Sequence, residues 1–351
     1  MSLASDLKQA VTPRAALLVV GCLALQLLFI TSYVGALHHP KPKDVPFGVV
    51  VPAQAPPETG DQLVTQLNKL SGDPLDAREV SSEAEARKQI MDRKIDGALL
   101  FDPAGKRDTL LVASGGGAAL SHALGTIGEK FGAAQQRTQK TVDVAPASAE
   151  DFNGLSAFYL VVGWCVGGYL CASILAISAG SRAATPQRAG IRLGAMAVYS
   201  VLGGLGGAVL IGPVLGALPG SVLALSGLGA LVVFAVGALT LALQSLTGIV
   251  GIGLAVLIVV IGGNPSAGGA IPGPMLPPFW EAIGPALPPG AGTWVARSIA
   301  YFEGHGVSGS LQVLAIWAII GTVVTLVMSS LRRPEVEGTE GPGATQYPQG
   351  A

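Results

Sequence analysis

VLALSGLGALVVFAVGALTLAL, Val222 to Leu243, runs for 22 residues without a charge. A helix rises about 1.5 Å per residue, so this segment alone reaches across the roughly 30 Å hydrocarbon core of a bilayer. It sits inside a longer run, because the 88 residues from Leu193 to Trp280 include no Asp, Glu, Lys or Arg. Most acidic residues lie instead in one polar island, Lys41 to Asp151. This contrast predicts a polytopic α-helical membrane protein: one apolar segment, an inserted polar domain, then a dense apolar block.

Six segments qualify or nearly qualify as spans: Ala15 to Leu37, Ser156 to Ala179, Leu193 to Leu218, Val222 to Leu243, Leu246 to Gly262 and Leu311 to Leu331. The fifth is short and rich in Gly. Only 12% of residues are charged, against about a quarter in a soluble domain. The formal net charge of −1 gives no electrostatic reason to expect nucleic acid as a partner; the lipid bilayer is the expected one. Cys22, Cys165 and Cys171 all fall in apolar segments, so they read as small packing residues rather than a disulfide framework or thiolate metal site. Lys8 and Arg14 precede the first segment and Val34-Gly35-Ala36 resembles a cleavage site, but an apolar core of about 22 residues is too long for a secretory signal. An uncleaved anchor is expected.

Orientation follows from Lys and Arg in the short flanks. An inside N-terminus places Lys8, Arg14, Arg182, Arg188, Arg192, Arg332 and Arg333 in the cytoplasm, against only Arg297 in the short or medium outer loops; the remaining thirteen lie in the island, which translocates as a domain. A multi-pass plasma-membrane protein with both termini cytoplasmic is therefore expected. Residues 1–14 form the cytoplasmic N-terminus, 15–37 the first helix, and 38–153 an extracytoplasmic α/β domain. Residues 154–331 form a five-helix block with an outer aromatic loop at 263–309, and 332–351 a disordered cytoplasmic tail rich in Gly, Pro and Glu.

Within the island, Phe47 to Val51 reads as a strand, followed by a helix with Leu63, Val64, Leu67 and Leu70 on one face. Ser82 with Glu85 forms a capping-box pattern that satisfies two amide donors; its helix leads through Ile90 and Met91 into a strand at Ile95 to Phe101. Thr109 to Ala113 is a further strand. Beyond Gly115-Gly116-Gly117, Leu120, Ala123, Leu124, Ile127 and Phe131 fit the helical period, leaving Lys130, Gln135, Gln136 and Arg137 for water.

This β-α-α-β-β-α order between the first two spans resembles the extracytoplasmic domain of type-2 ABC transporter permeases, and more narrowly the phage infection protein (Pip)-like branch and its relatives of unknown function. Glu83-Ala84-Glu85-Ala86-Arg87 and Lys94 to Phe101 look like that family's helix entering a strand. Gly268-Gly269, Pro272, Leu276-Pro277, Phe279-Trp280, Leu287-Pro288, Arg297 and Tyr301-Phe302 resemble the loop before its last span. The resemblance covers most of Ala15 to Leu331 and implies the membrane subunit of an exporter.

No Asp, Glu, Lys, Arg or His falls within the six spans, which argues against carboxylate-coupled proton or sodium transport. The sequence carries no G-x-x-x-x-G-K-[ST] loop, so ATP would have to be supplied by a separate nucleotide-binding subunit. Gly115-Gly116-Gly117 precedes a helix, where free amides hold anions in other proteins; without a following Lys it reads as a plain strand-to-helix turn. The resemblance implies that Met1 to Arg14 and the loop Ser181 to Arg192 carry the connecting and coupling elements. The loop is basic, with Arg182, Arg188 and Arg192, and is broken by Pro186; a positive-inside signal is the plainer reading.

Gly163 and Gly167, Gly203 and Gly207, and Gly212 and Gly216 are each spaced by four, the pattern of close helix packing within one chain, with a homodimer as the alternative. Pro213 should kink the third span. In the outer loop, Phe279, Trp280, Trp294, Tyr301 and Phe302, with Glu281, Arg297 and Glu303, read as a short interfacial helix or re-entrant hairpin around 277–302. Its charges are a salt-bridged or solvated rim, or a contact for lipid headgroup or exported substrate. No H-E-x-x-H, G-x-S-x-G or C-x-x-C occurs, and His38, His39, His122 and His305 form no ligand cluster by spacing. No catalytic, cofactor or metal residue is expected. The leading expectation is an exporter subunit for an amphiphilic or lipophilic compound; the alternative is a non-transporting surface scaffold whose polar domain binds envelope components or secretion partners.

Overall fold

The computed structural model describes residues 12–180, 182–183 and 185–331. The cytoplasmic stretch expected before residue 12 and the tail expected at 332–351 lie outside them. In chain order the elements are α1 (Pro13–Leu37), β1 (Val45–Val50), α2 (Thr59–Asn68), β2 (Leu75–Glu79), α3 (Glu83–Met91), β3 (Gly97–Leu100), β4 (Arg107–Val112), α4 (Ala118–Ala134) and β5 (Thr138–Asp143). There follow α5 (Ser156–Ala179), α6 (Pro186–Val209), α7 (Val222–Thr247), α8 (Val250–Ser266), α9 (Pro278–Ile283), α10 (Pro288–Tyr301) and α11 (Ser308–Ser330).

Five of these helices, α1, α5, α6, α7 and α11, are long and apolar enough to cross a membrane. The remaining expected span, 246–262, is a shorter apolar helix, Val250–Ser266, whose turns widen to π geometry over Leu257–Gly263. α7 is the bundle's axis, packed by α5, α6, α10 and α11. α1 stands at the periphery with most of its surface exposed, and touches α8, where the Ser32 hydroxyl donates to the Ile261 carbonyl. Pro213 does not kink α6 midway. It lies in a π turn, Leu210–Val214, that ends the helix, where its missing N–H leaves little of the hydrogen-bond ladder to break.

Between α1 and α5 the chain forms a five-stranded sheet of order β2-β1-β3-β4-β5, in which the β3–β4 pair alone is antiparallel. Strand alternation puts Val45, Phe47 and Val49 on one face under α2 and α4, which contribute Leu63, Leu67, Leu120 and Leu124. Val50, Ala98 and Leu111 face the other way, toward Ala86 and Ile90 of α3.

Two strands, β2 and β5, depart from the sequence expectation. Both are edges, and Thr138–Asp143 carries polar residues on both sides, so neither shows the apolar run expected of a strand. The outer edge of β2 is closed by Asn68, whose side chain accepts from the Ala77 amide at 2.7 Å and donates to the Ala77 carbonyl at 3.0 Å. The capping box is half formed: Ser82 accepts from the Glu85 amide at 3.2 Å, but the Glu85 carboxylate instead accepts from Gln89. Arg137 does not face water. Its guanidinium grips buried Asp108 through two nitrogens at 2.6 and 2.7 Å and lies over Phe101, tying the end of α4 to β4.

Candidate functional site

α10 is buried among α5, α7 and α11 at the end of the bundle where the sheet layer docks, and three side-chain clasps join the two there. The first begins at the end of α3. Arg93 occupies the position after the helix where Gly is favoured, with φ of 58°. A left-handed backbone costs a non-Gly residue about 1 kcal/mol or more, and here the side chain supplies the offset. Its Nη1 donates to the Trp294 carbonyl at 2.8 Å and to Ser298 Oγ at 2.7 Å. The same guanidinium lies 3.3 Å from the Trp294 ring centre and 4.8 Å from that of Phe302.

Arg297 makes the second clasp from inside α10. Only 3% exposed, it donates to the Gly268 carbonyl at 2.6 Å, Gly269 at 2.7 Å and Gly154 at 3.0 Å, joining three segments with one planar group. The third is the Tyr301 hydroxyl, which donates to Asp151 Oδ2 at 2.5 Å while Asp151 Oδ1 accepts from the Ser156 amide that opens α5. Burial and then the Asp151 carboxylate push the Tyr301 phenol upward. Outside these clasps, His305 Nδ1 approaches Asp92 Oδ1 at 3.2 Å.

The tri-glycine turn explains the fit. A Cβ at Gly115 would run into the Tyr301 ring, one at Gly117 into Pro272, and one at Gly116 would touch Phe302. These glycines are the seat on which the end of α10 rests, more than the plain turn expected from sequence.

Beneath the docked layer lies a cavity of about 240 Å³, lined by Arg93, Asp96, Glu281, Thr293, Trp294 and Arg297 among others. Burial raises the Asp96 carboxyl to about 6, against the pull of Arg93. Burial also lowers Arg93 to about 9 and Arg297 to about 10, with Arg93 further lowered by Arg297.

The expected outer-mouth residues therefore separate. Phe279 is exposed and Trp280 half-buried, with their rings edge to face. Trp294 is 39% exposed under Arg93, and exposed Glu281 lines the cavity. Arg297, Tyr301 and Phe302 are buried, so they form neither a solvated rim nor a headgroup belt. The reason is that α10 re-enters the bundle instead of lying along its surface.

The glycine pairs also separate. Gly163, Gly167, Gly203 and Gly207 line an apolar groove of about 400 Å³ between α5 and α6. A Cβ at Gly163 would meet nothing within 4 Å, and Gly207 makes room for the Trp164 indole. Gly212 and Gly216 lie in the turn after α6, and Gly216 has φ of 65°. Close backbone approach occurs elsewhere: Gly204 on Ser226 and Gly229, Gly168 on Val233, and Gly321 on Ala238.

At the opposite end of the bundle, Pro186 opens α6 instead of breaking a loop, with Thr185 accepting from the Arg188 amide at 3.3 Å. Arg188 and Arg192 thus share one helix face, Arg192 is buried, and Arg182 donates to the Leu246 carbonyl at 3.3 Å. Reading from sequence missed Arg93, Asp96 and Asp151, which have no motif to mark them, and Gln244. The Gln244 side chain is fully buried in α7, with neither amide atom bonded among the described residues. Among those residues no cluster of His, Cys, Asp or Glu is placed to hold a metal.

No protein-family model matches the chain, and no curated protein matches it.

Proposed function

We propose that the chain is the membrane subunit of a type-2 ABC exporter for an amphiphilic or lipophilic compound, driven by a separate ATPase subunit. The observation that carries this reading is α10, a helix that turns back into the bundle and is clasped to the sheet layer by Arg93, Arg297 and Tyr301. A cap tied this way moves together with a helix touching α5, α7 and α11, which suits an outer gate.

In this reading α8 completes a sixth crossing despite its length. It starts against Leu243 and Gln244 and ends beside the second half of α1, so it passes between the two ends of the bundle. Both termini are then cytoplasmic, the sheet layer lies outside the plasma membrane, and Arg182, Arg188 and Arg192 mark the cytoplasmic face. Energy must come from that face. Apart from Arg188 and Arg192 near the start of α6, the apolar helices from residue 15 onward carry no Asp, Glu, Lys, Arg or His, which disfavours side-chain proton coupling.

Affinity purification of the tagged chain from cross-linked native membranes tests the proposal. A stoichiometric nucleotide-binding subunit supports it. Repeated recovery of envelope or secretion proteins in its place would return the scaffold reading.

A further inference from the structure

The cavity under the sheet layer collects positive potential from three directions. α4 begins at Gly117 without a side-chain cap, and the amides of Ala118 and Ala119 donate to no acceptor among the described residues. Gly116 and Leu120, on either side of that helix start, line the cavity. A helix start carries about half a positive charge and presents its free amides to an anion. Arg93 and Arg297 line the same space. Arg297 is 3% exposed, and its Nε has no acceptor although its other nitrogens are bonded.

Two carboxyls oppose these groups. Asp96 accepts no side-chain hydrogen bond among the described residues and is raised by burial, while Glu281, mostly exposed, is raised by partial burial and by Asp44. Behind Arg297, Asp151 is already engaged by Tyr301 and the Ser156 amide. Much of the remaining wall is apolar, including Leu120, Ala267, Pro272 and Pro285. Beside it, α9 turns Phe279 outward, 64% exposed. A cavity of about 150 Å³ holds a benzene ring, so about 240 Å³ admits a phosphate with a short linker.

We infer that this cavity binds a phosphate group, with its oxygens held by Arg93, Arg297 and the start of α4, and with apolar walls that accept the neighbouring part of an amphiphile. A tetrahedral oxyanion suits donors arriving from three sides, which a flat carboxylate does not use. The site stands apart from the energy source, so it survives if no ATPase drives the chain.

The test uses the full chain in maltoside micelles and phosphate-free buffer at pH 7.5, with calorimetric titration. Three probes are compared: dihexanoyl phosphatidic acid, dihexanoylglycerol and inorganic phosphate. The phosphatidic acid should bind at least tenfold tighter than the glycerol. Inorganic phosphate binding as tightly as the lipid identifies free phosphate as the source; weaker binding identifies a lipid headgroup. Arg93→Gln should weaken the phosphatidic acid about ten- to hundredfold, as expected for losing a charged donor. Asp96→Asn should tighten it several-fold by removing the opposing charge, an opposite change that a folding defect does not produce. Arg297, which holds three backbone carbonyls at once and is the more disruptive substitution, is left intact. Equal binding of the two lipid probes, no binding of any probe, or Arg93→Gln binding within twofold of the unaltered chain overturns the assignment.

Discussion

Arg93→Gly and Arg93→Ala separate the backbone of the α3 corner from the clasp it carries. Two charge-assisted hydrogen bonds, to the Trp294 carbonyl and Ser298 Oγ, contribute at least about 3 kcal/mol together, and stacking on Trp294 about 1 more. Against this stands desolvation. The fall of Arg93 from 12.5 to about 9 corresponds to at most about 5 kcal/mol, which we halve because the side chain keeps part of its surface in water. The clasp is thus worth about 2 kcal/mol net. Ala keeps the left-handed cost and should lose all of it, whereas Gly recovers about 1 kcal/mol from the backbone.

Hydrogen exchange of peptides covering 90–97 and 298–306 reads the difference. Exchange there should rise about thirtyfold in Arg93→Ala and about fivefold in Arg93→Gly. If the clasp holds nothing, Ala should match the unaltered chain and Gly should exchange more slowly. That result would mean that the Arg93 side chain contributes nothing to the docking of the sheet layer.

Asp96→Asn removes a carboxyl raised to about 6, so in the native state it binds more protons than in the unfolded chain between about pH 4 and 6. Stability therefore falls as pH rises through that window, and Asn should raise the melting temperature by a few degrees at pH 7.5, about 2 kcal/mol, but not at pH 4; a shift of equal size at both pH values would contradict this. Tyr301→Phe leaves the buried Asp151 carboxylate short of one donor and should destabilise by about 2–3 kcal/mol, seen as a lower melting temperature. Gly204→Val should drive the bundle apart, since its side chain would meet Ser226 and Gly229 backbone, and abolish a monodisperse gel-filtration peak. Gly163→Ala should leave that peak unchanged, having open space around it. Gln244→Met removes two unpartnered buried polar atoms and should raise stability by about 1–2 kcal/mol.

The long apolar helices were legible because the bilayer demands uninterrupted apolar length, and Val222–Thr247 begins at the residue expected. β1 and α4 were legible from periodicity. β2 and β5 were not, because an edge strand partnered on one side tolerates Asp76, Arg78, Gln139 and Lys140. The glycine pairs were legible only in part, because four-residue spacing shows which face a glycine occupies but not what lies against it: Gly207 meets Trp164 of α5, whereas Gly163 faces open space. Among site residues, Trp294 and Arg297 were visible as rare polar or aromatic groups in an apolar loop. Arg93 was not, since its partners on α10 lie about 200 residues away in sequence, and Asp96 was not, since it is marked only by its burial beside Arg93. Such a pairing comes from docking, which no local pattern encodes.

Under the proposed function, this chain moves its solute with energy from another subunit. The assay is vanadate-sensitive ATP hydrolysis by the assembly purified from native membranes and returned to lipid nanodiscs, with Arg182→Glu/Arg188→Glu as the paired variant. Hydrolysis should copurify with the chain and fall severalfold when these two arginines are reversed in charge. Well-folded preparations that repeatedly show no associated hydrolysis would contradict it.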